Sequence, residues 1–187
     1  MVNGGKLTPV KWRCPAILSL ALLAALGLAA CRSAEPAPDF EFTLYQGTES
    51  LGEDNLNFSY LRGRPVVLNF WAGLCPPCRI EMPEFQAFYE EFGDQVTLLG
   101  LDVGPFFGLG SHQSARDLLV ELDITYPAGY PPDDGAVRSY KVLSMPSTYF
   151  ITAEGMIFER WGGTLNKGVL ARITAEMLGV PDLAGQG

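Results

Sequence analysis

The sequence predicts an α/β domain built on a mixed β-sheet. Two observations carry that expectation. Strand-like and helix-like segments alternate from residue 65 to residue 140, and a hairpin followed by one more helix closes the chain. Composition permits it, because 187 residues with 48% apolar and 18% charged side chains are neither disordered nor collagen-like.

The N-terminus reads as an address. Residues 1–30 carry Lys6, Lys11 and Arg13 and no acid, and residues 16–30 form an uncharged run of 15 residues, mostly Leu and Ala. A bilayer span takes about 20 apolar residues. The shorter run suits the apolar core of a signal peptide over residues 1–30. Its basic flank and lack of amphipathic spacing argue against a buried core helix, while an uncleaved membrane anchor stays open. Residues 32–39 (RSAEPAPD) are small, polar and Pro-containing, and read as a tether. The domain is expected over residues 40–180, with 181–187 a C-terminal tail.

Within the domain, Pro65-Val66-Val67-Leu68-Asn69-Phe70-Trp71 is a nearly continuous apolar run rich in β-branched and aromatic residues, as in a strand buried on both faces. Ala72-Gly73-Leu74 is a turn. Phe85, Phe88, Tyr89 and Phe92 then recur at helical spacing up to Gly93, with Pro83 expected to kink the helix. Residues 95–101 read as a second strand. Residues 114–122 read as a helix with Ala115, Leu118, Leu119 and Leu122 on one face. Residues 129–134 (GYPPDD) read as a loop and 135–140 as a short helix. Strands at 147–151 and 156–161 flank the hairpin turn Thr152-Ala153-Glu154-Gly155. Val169, Leu170, Ile173 and Met177 mark the last helix, stopped by Gly179 and Pro181.

From Cys31 onward the chain carries 10 basic and all 21 acidic residues, a formal charge of −11. So acidic a body is a poor partner for a phosphate backbone. The single histidine, His112, excludes His-rich metal sites and any triad that needs a second imidazole. Cys14 lies in the expected signal, and Cys75 and Cys78 stand as C-x-x-C. Structural zinc needs four ligands, and no second pair or His cluster is present. A c-type haem needs histidine where Arg79 stands. A purely structural disulfide across two residues restricts little chain entropy. The reading left is a redox dithiol. Cys75 falls just before the helix, with Pro76 near its first position. Free N–H groups and the helix dipole favour a thiolate there, so Cys75 is expected to be the more exposed and more acidic sulfur. Pro76 and Pro77 offer no N–H, which leaves the Cys78 amide as the nearest donor to the Cys75 sulfur within the motif. Fewer donors stabilise the reduced form less and would make the pair a reductant. The alternative is that the two prolines only stiffen the turn.

Residues 71–83 (WAGLCPPCRIEMP) resemble the active-site segment of the thioredoxin superfamily, in particular the TlpA/ResA group of membrane-tethered thiol-disulfide oxidoreductases. Met145-Pro146-Ser147-Thr148-Tyr149-Phe150-Ile151 resembles that group's cis-proline strand, and Glu154-Gly155-Met156-Ile157 its following hairpin. The resemblance implies a thioredoxin-like fold, a central mixed sheet flanked by helices, with an N-terminal extension. Leu28-Ala29-Ala30 before Cys31 resembles a bacterial lipobox. That implies cleavage before Cys31, lipidation of Cys31, and a mature chain held at a membrane outside the cytoplasm.

The same resemblance implies roles. Cys75 is the nucleophile and Cys78 resolves the mixed disulfide. Glu81, on the helical face of Cys78, would shift a thiol pKa or relay a proton; the plainer reading is a solvated carboxylate. Asn69 stands where thioredoxins proper carry a buried aspartate. Pro146 would be cis, turning the Met145 backbone toward an incoming peptide. Trp71, Pro76, Pro77, Met145, Pro146 and Gly163 form the expected substrate surface, Gly163 being either a groove glycine or a simple turn glycine. Gly73-Leu74 and the 104–110 loop (GPFFGLG) depart from the group's pattern and leave the partner's identity open.

The implied function is a tethered protein disulfide reductase. Its partners are thiol- or disulfide-containing proteins, for which the group's precedent includes apocytochrome c, and an integral-membrane electron donor, because a pair in an oxidising compartment cannot reduce itself. A monomer with no cofactor is expected. The rival is a copper metallochaperone that binds Cu(I) through the same soft thiolates, with His112 and Met145 as further ligand candidates. Otherwise His112 reads as a solvated loop residue. A peroxiredoxin needs threonine where Ala72 stands.

Overall fold

The computed structural model describes Met1 and residues 35–180. The expected signal, Cys31 and the 181–187 tail lie outside the described residues.

Two strands form the centre. β4 (Val66–Trp71) and β5 (Thr97–Asp102) are buried at every position, which is why both read as apolar runs rather than alternating patterns. They pair in parallel, Val66 with Thr97 through Trp71 with Asp102. The crossover between them is α2 (Pro76–Phe92), which starts just beyond the C-terminal end of β4. On the other flank of β4 lies β7 (Ser147–Ile151), antiparallel, with Phe70 opposite Ser147 and Val66 opposite Ile151. β8 (Met156–Gly162) turns back against β7, and β1 (Glu35–Pro36) pairs with its start. Beyond β5 come β6 (Ala128–Tyr130, parallel), β2 (Glu41–Gln46) and β3 (Asn55–Asn57). The eight-stranded order is β1-β8-β7-β4-β5-β6-β2-β3.

The sheet separates two apolar clusters. On one face α2 and α6 (Lys167–Leu178) bring Met82, Phe85, Phe88, Phe92, Leu170 and Ile173 onto Val67, Trp71, Leu98 and Phe150. Each fully buried phenylalanine of α2 contributes on the order of 2–3 kcal/mol. On the other face Phe42, Leu68, Phe70, Leu99, Leu101, Tyr140 and Tyr149 pack together. The hydroxyl of Tyr149 donates to the Tyr140 carbonyl, and that of Tyr140 to the Pro38 carbonyl at 2.9 Å.

Several expectations need correction. The polar stretch taken as a tether is already part of the sheet at Glu35–Pro36. Ala37 is buried there and its N–H bonds the Gly155 carbonyl at 2.9 Å, so residues before residue 40 are packed into the sheet. The 129–134 loop includes strand residues, because β6 covers Ala128–Tyr130. Its Gly129 hid the strand, yet it is required: a Cβ there would lie 2.3 Å from the Thr43 carbonyl oxygen of β2. The helix expected from residue 114 is α4 (His112–Glu121). Ser111 is its N-cap, joined to Ser114 in a capping box, which places His112 in the first turn rather than a loop. The 104–110 loop holds a single turn, α3 (Gly104–Phe107). β2, the edge strand β3 beside it and the short helix α1 (Thr48–Leu51) had no counterpart in the sequence reading, whereas the short helix expected at 135–140 is α5 (Gly135–Ser139).

Candidate active site

Cys75 is the N-cap of α2, and Pro76 and Pro77 occupy its first positions, where their missing N–H groups cost nothing. Cys75 and Cys78 are disulfide-bonded, with Cα atoms 5.3 Å apart. The Cys75 sulfur accepts the Cys78 N–H at 3.3 Å, the donor expected from the C-P-P-C spacing. Exposure differs from expectation. Cys75 is only 3% exposed and Cys78 0%, so the first cysteine is marginally the more accessible residue but does not stand open to water. Bonded to Cys78 and drawn onto its amide, it turns into the cluster that also holds Trp71 and Ala72. Leu74, Pro76 and Pro77 are the exposed residues around it.

The Met145–Pro146 bond is cis, as the resemblance implied. Ser147 pairs with Phe70, so Pro146 lies at the end of the sheet where Trp71 leads into the dithiol turn. The Pro146 carbonyl accepts the Gly163 N–H at 2.9 Å. Gly163 has φ +94°, and a Cβ there would meet nothing within 4 Å. It is therefore a turn glycine with open space before it. Trp71 is fully buried and belongs to the core beside the cysteines.

Glu81 is not a solvated carboxylate. It is 1% exposed, one turn beyond Cys78 on the inner face of α2. Its Oε1 accepts from Asn69 Nδ2 at 2.9 Å and its Oε2 from the Leu165 N–H at 3.1 Å. The same Asn69 amide donates to Thr148 Oγ1 at 3.1 Å. Burial pushes the Glu81 carboxyl up to about 7, against the two hydrogen bonds that favour its charged form. A carboxyl that changes charge near neutral pH, on the face that carries Cys78, can take or return a proton. Sequence reasoning missed Thr148 and Leu165, since only the folded chain brings them to Glu81.

His112 is also re-placed. Its Nδ1 lies 2.5 Å from the Tyr45 hydroxyl and 3.4 Å from Asp102 Oδ2, so the ring is tied into a polar network while part of it still faces solvent. That ring nitrogen is committed away from the thiols. Among the described residues no group of three or more His, Cys, Asp or Glu is arranged to hold a metal ion.

Residues 34–160 match the family model described as the AhpC/TSA family. The chain belongs to that family. The thiol-disulfide oxidoreductase ResA of Oceanobacillus iheyensis is 34% identical over 137 residues, 72% of this chain and 67% of that protein. The thioredoxin-like protein YneN of Bacillus subtilis is 30% identical over 133 residues, 71% of this chain and 73% of its own. Among solved structures, a putative thiol:disulfide interchange protein DsbE from Chlorobium tepidum superposes with a TM-score of 0.66 at 21% identity, over 78% of this chain and 96% of that one. The fold is thioredoxin-like, and this member of the family is a thiol-disulfide oxidoreductase of the ResA type that carries a cysteine pair.

Proposed function

We propose that this protein is a membrane-tethered, extracytoplasmic protein disulfide reductase. The observation that carries the reading is the cysteine pair at the start of α2, with buried Glu81 one turn behind it. In the reduced form the Cys75 thiolate attacks one sulfur of a partner disulfide. The partner's second sulfur leaves as a thiolate and takes a proton from solvent. Cys78 then gives its proton to the Glu81 carboxylate and attacks Cys75 Sγ. The partner's remaining sulfur is expelled, and the proton returns to it. One partner disulfide becomes two thiols, and two thiols here become the Cys75–Cys78 disulfide. The Met145 backbone before Pro146 would pair with the partner's chain as a short added strand, beside Pro76, Pro77 and Gly163, while Trp71, buried in the core, supports the dithiol from behind instead of touching the partner.

Reduction rather than oxidation is supported by the single amide donor on the Cys75 sulfur. A measured potential near about −120 mV, the strongly oxidising end of the scale, would overturn that direction. Placement outside the cytoplasm rests on the basic, apolar N-terminus and on Cys31 as the lipidated residue. Electrons would come from a membrane thiol shuttle, and apocytochrome c thiols are one candidate substrate. The test is trapping in cells. A Cys78→Ser form should accumulate mixed disulfides through Cys75, identified by mass spectrometry, while Cys75→Ser should not. Equal trapping by both forms would remove Cys75 as the attacking sulfur.

A further inference from the structure

A second polar network lies beside the dithiol turn and has no part in the chemistry above. Asp102 ends β5 opposite Trp71 and is fully buried. Its Oδ1 accepts the Gly104 N–H at 2.9 Å, and its Oδ2 accepts the Tyr45 hydroxyl at 2.9 Å. The same Oδ2 is 3.4 Å from His112 Nδ1, which is 2.5 Å from the Tyr45 oxygen. A phenol has one proton to give. If Tyr45 gave it to His112, Oδ2 would keep only the long contact to the ring. If Tyr45 gives it to Asp102, its oxygen accepts from His112 Nδ1–H and every group is satisfied. The chain therefore runs from the imidazole N–H through the phenol to the carboxylate. Burial, the largest influence on each, pushes the Asp102 carboxyl and the Tyr45 phenol upward. The other groups facing this network are Tyr130 of β6, its ring 4.2 Å from that of His112, and Arg116 of α4, 4.6 Å above the Tyr45 ring.

Asp102 and His112 bracket the 103–111 segment, and that segment holds the turn before Cys75. The Leu109 carbonyl accepts the Leu74 N–H at 2.9 Å. A Cβ on Gly110 would lie 3.2 Å from Leu74 Cγ, and one on Gly73 only 2.6 Å from the backbone at Ser114 and Ala115. Gly73-Leu74 and the 104–110 loop, the two departures noted from the TlpA/ResA pattern, are thus one packed unit.

We propose that Asp102, Tyr45 and His112 are positioning residues for Cys75: they pin both ends of the 103–111 segment, and the proton on His112 is read at the cysteine through Leu109 and Leu74. A charged imidazole adds a cation to a hydrogen-bonded chain that ends in a buried carboxylate and tightens it; a neutral one relaxes it. The inference rests on Cys75 being the attacking sulfur, but its test does not.

The test is a ¹⁵N NMR titration of the oxidised wild-type protein from about pH 5 to about pH 8, the imidazole range. The Gly104 and Leu74 amide signals should move with the same midpoint as the His112 ring protons. In His112→Asn, which keeps an N–H donor near the place of Nδ1, that step should vanish while both signals remain. Flat Gly104 and Leu74 signals across the His112 titration would overturn the proposal, with no variant required. In Tyr45→Phe the Leu74 amide should exchange about tenfold faster, the scale of one lost hydrogen bond to a charged acceptor. In the reduced protein Cys75 should then react faster with iodoacetamide, with its midpoint pH unchanged. Exchange and alkylation both within twofold of wild type would also overturn it. Failure of Cys78→Ser trapping would strike the reductase reading and leave these NMR results standing.

Discussion

Replacing Glu81 with glutamine isolates the buried carboxyl behind the dithiol. In the folded protein this group titrates at about 7, against 4.5 as its ordinary value. A raised acid means that the native chain holds more protons than the unfolded chain between those two values. Stability therefore falls as pH rises through the window, and the penalty is complete above the folded midpoint. With these midpoints the cost is about 1 kcal/mol at pH 5 and roughly 3 kcal/mol at pH 8, a loss on the order of 2–3 kcal/mol. E81Q has no such loss. Its single side-chain oxygen can accept from Asn69 or from Leu165, not both, which costs about 1–1.5 kcal/mol at every pH. The stability curves should cross: E81Q slightly below wild type at pH 5, and about 2 kcal/mol above it at pH 8. Urea unfolding of the oxidised proteins at intervals from pH 5 to 8 measures this, with the disulfide keeping both cysteines from titrating. Parallel curves would mean that Glu81 does not titrate near neutrality, and the proton-relay role would go with it.

Three further outcomes are expected. Gly73→Ala forces a Cβ to within 2.6 Å of the α4 backbone and should cost about 1–3 kcal/mol in thermal or urea unfolding; a neutral result would show that this contact yields. Ser111→Ala removes the capping box of α4 and should cost about 1 kcal/mol by the same assay. Leu74 (62% exposed) and Leu143 (90% exposed) flank the dithiol and the Pro146 turn in sequence. Serine at both should leave stability within about 0.5 kcal/mol. It should lower kcat/KM for a protein disulfide while sparing a small-molecule disulfide, and an equal loss on both substrates would remove the apolar rim from partner binding.

How legible the molecule was depended on how local each signal is. β4, α2 and α6 were readable because their apolar spacing repeats along contiguous residues. So was the N-cap position of Cys75, fixed by the strand end before it and the Pro-Pro after it. β2 and β3 were not, because short strands on the flank of a sheet draw their order from partners outside their own segment: Phe42 finds Leu56, and Thr43 finds Tyr130. Gly129 looked like a loop residue because nothing nearby reveals the β2 carbonyl that it must admit. His112 read as a surface polar and Glu81 was left between a proton relay and a solvated carboxylate, and both are engaged in networks whose members come from three or more separate elements.

The sequence alone determined the chemistry on offer: two thiols one helical turn apart, the first at a helix start whose proline-filled opening leaves one amide to hold it. Those constraints act over a few covalent bonds, so neighbouring residues suffice to state them. Only the tertiary structure decided the environment of that chemistry. It withdrew Cys75 from water, buried Glu81 against Asn69 and Leu165 so that its proton is held near neutral pH, and set the loop before α4 against the turn that carries the sulfur. Desolvation and close packing are properties of surfaces brought together from distant parts of the chain, and no local window contains them.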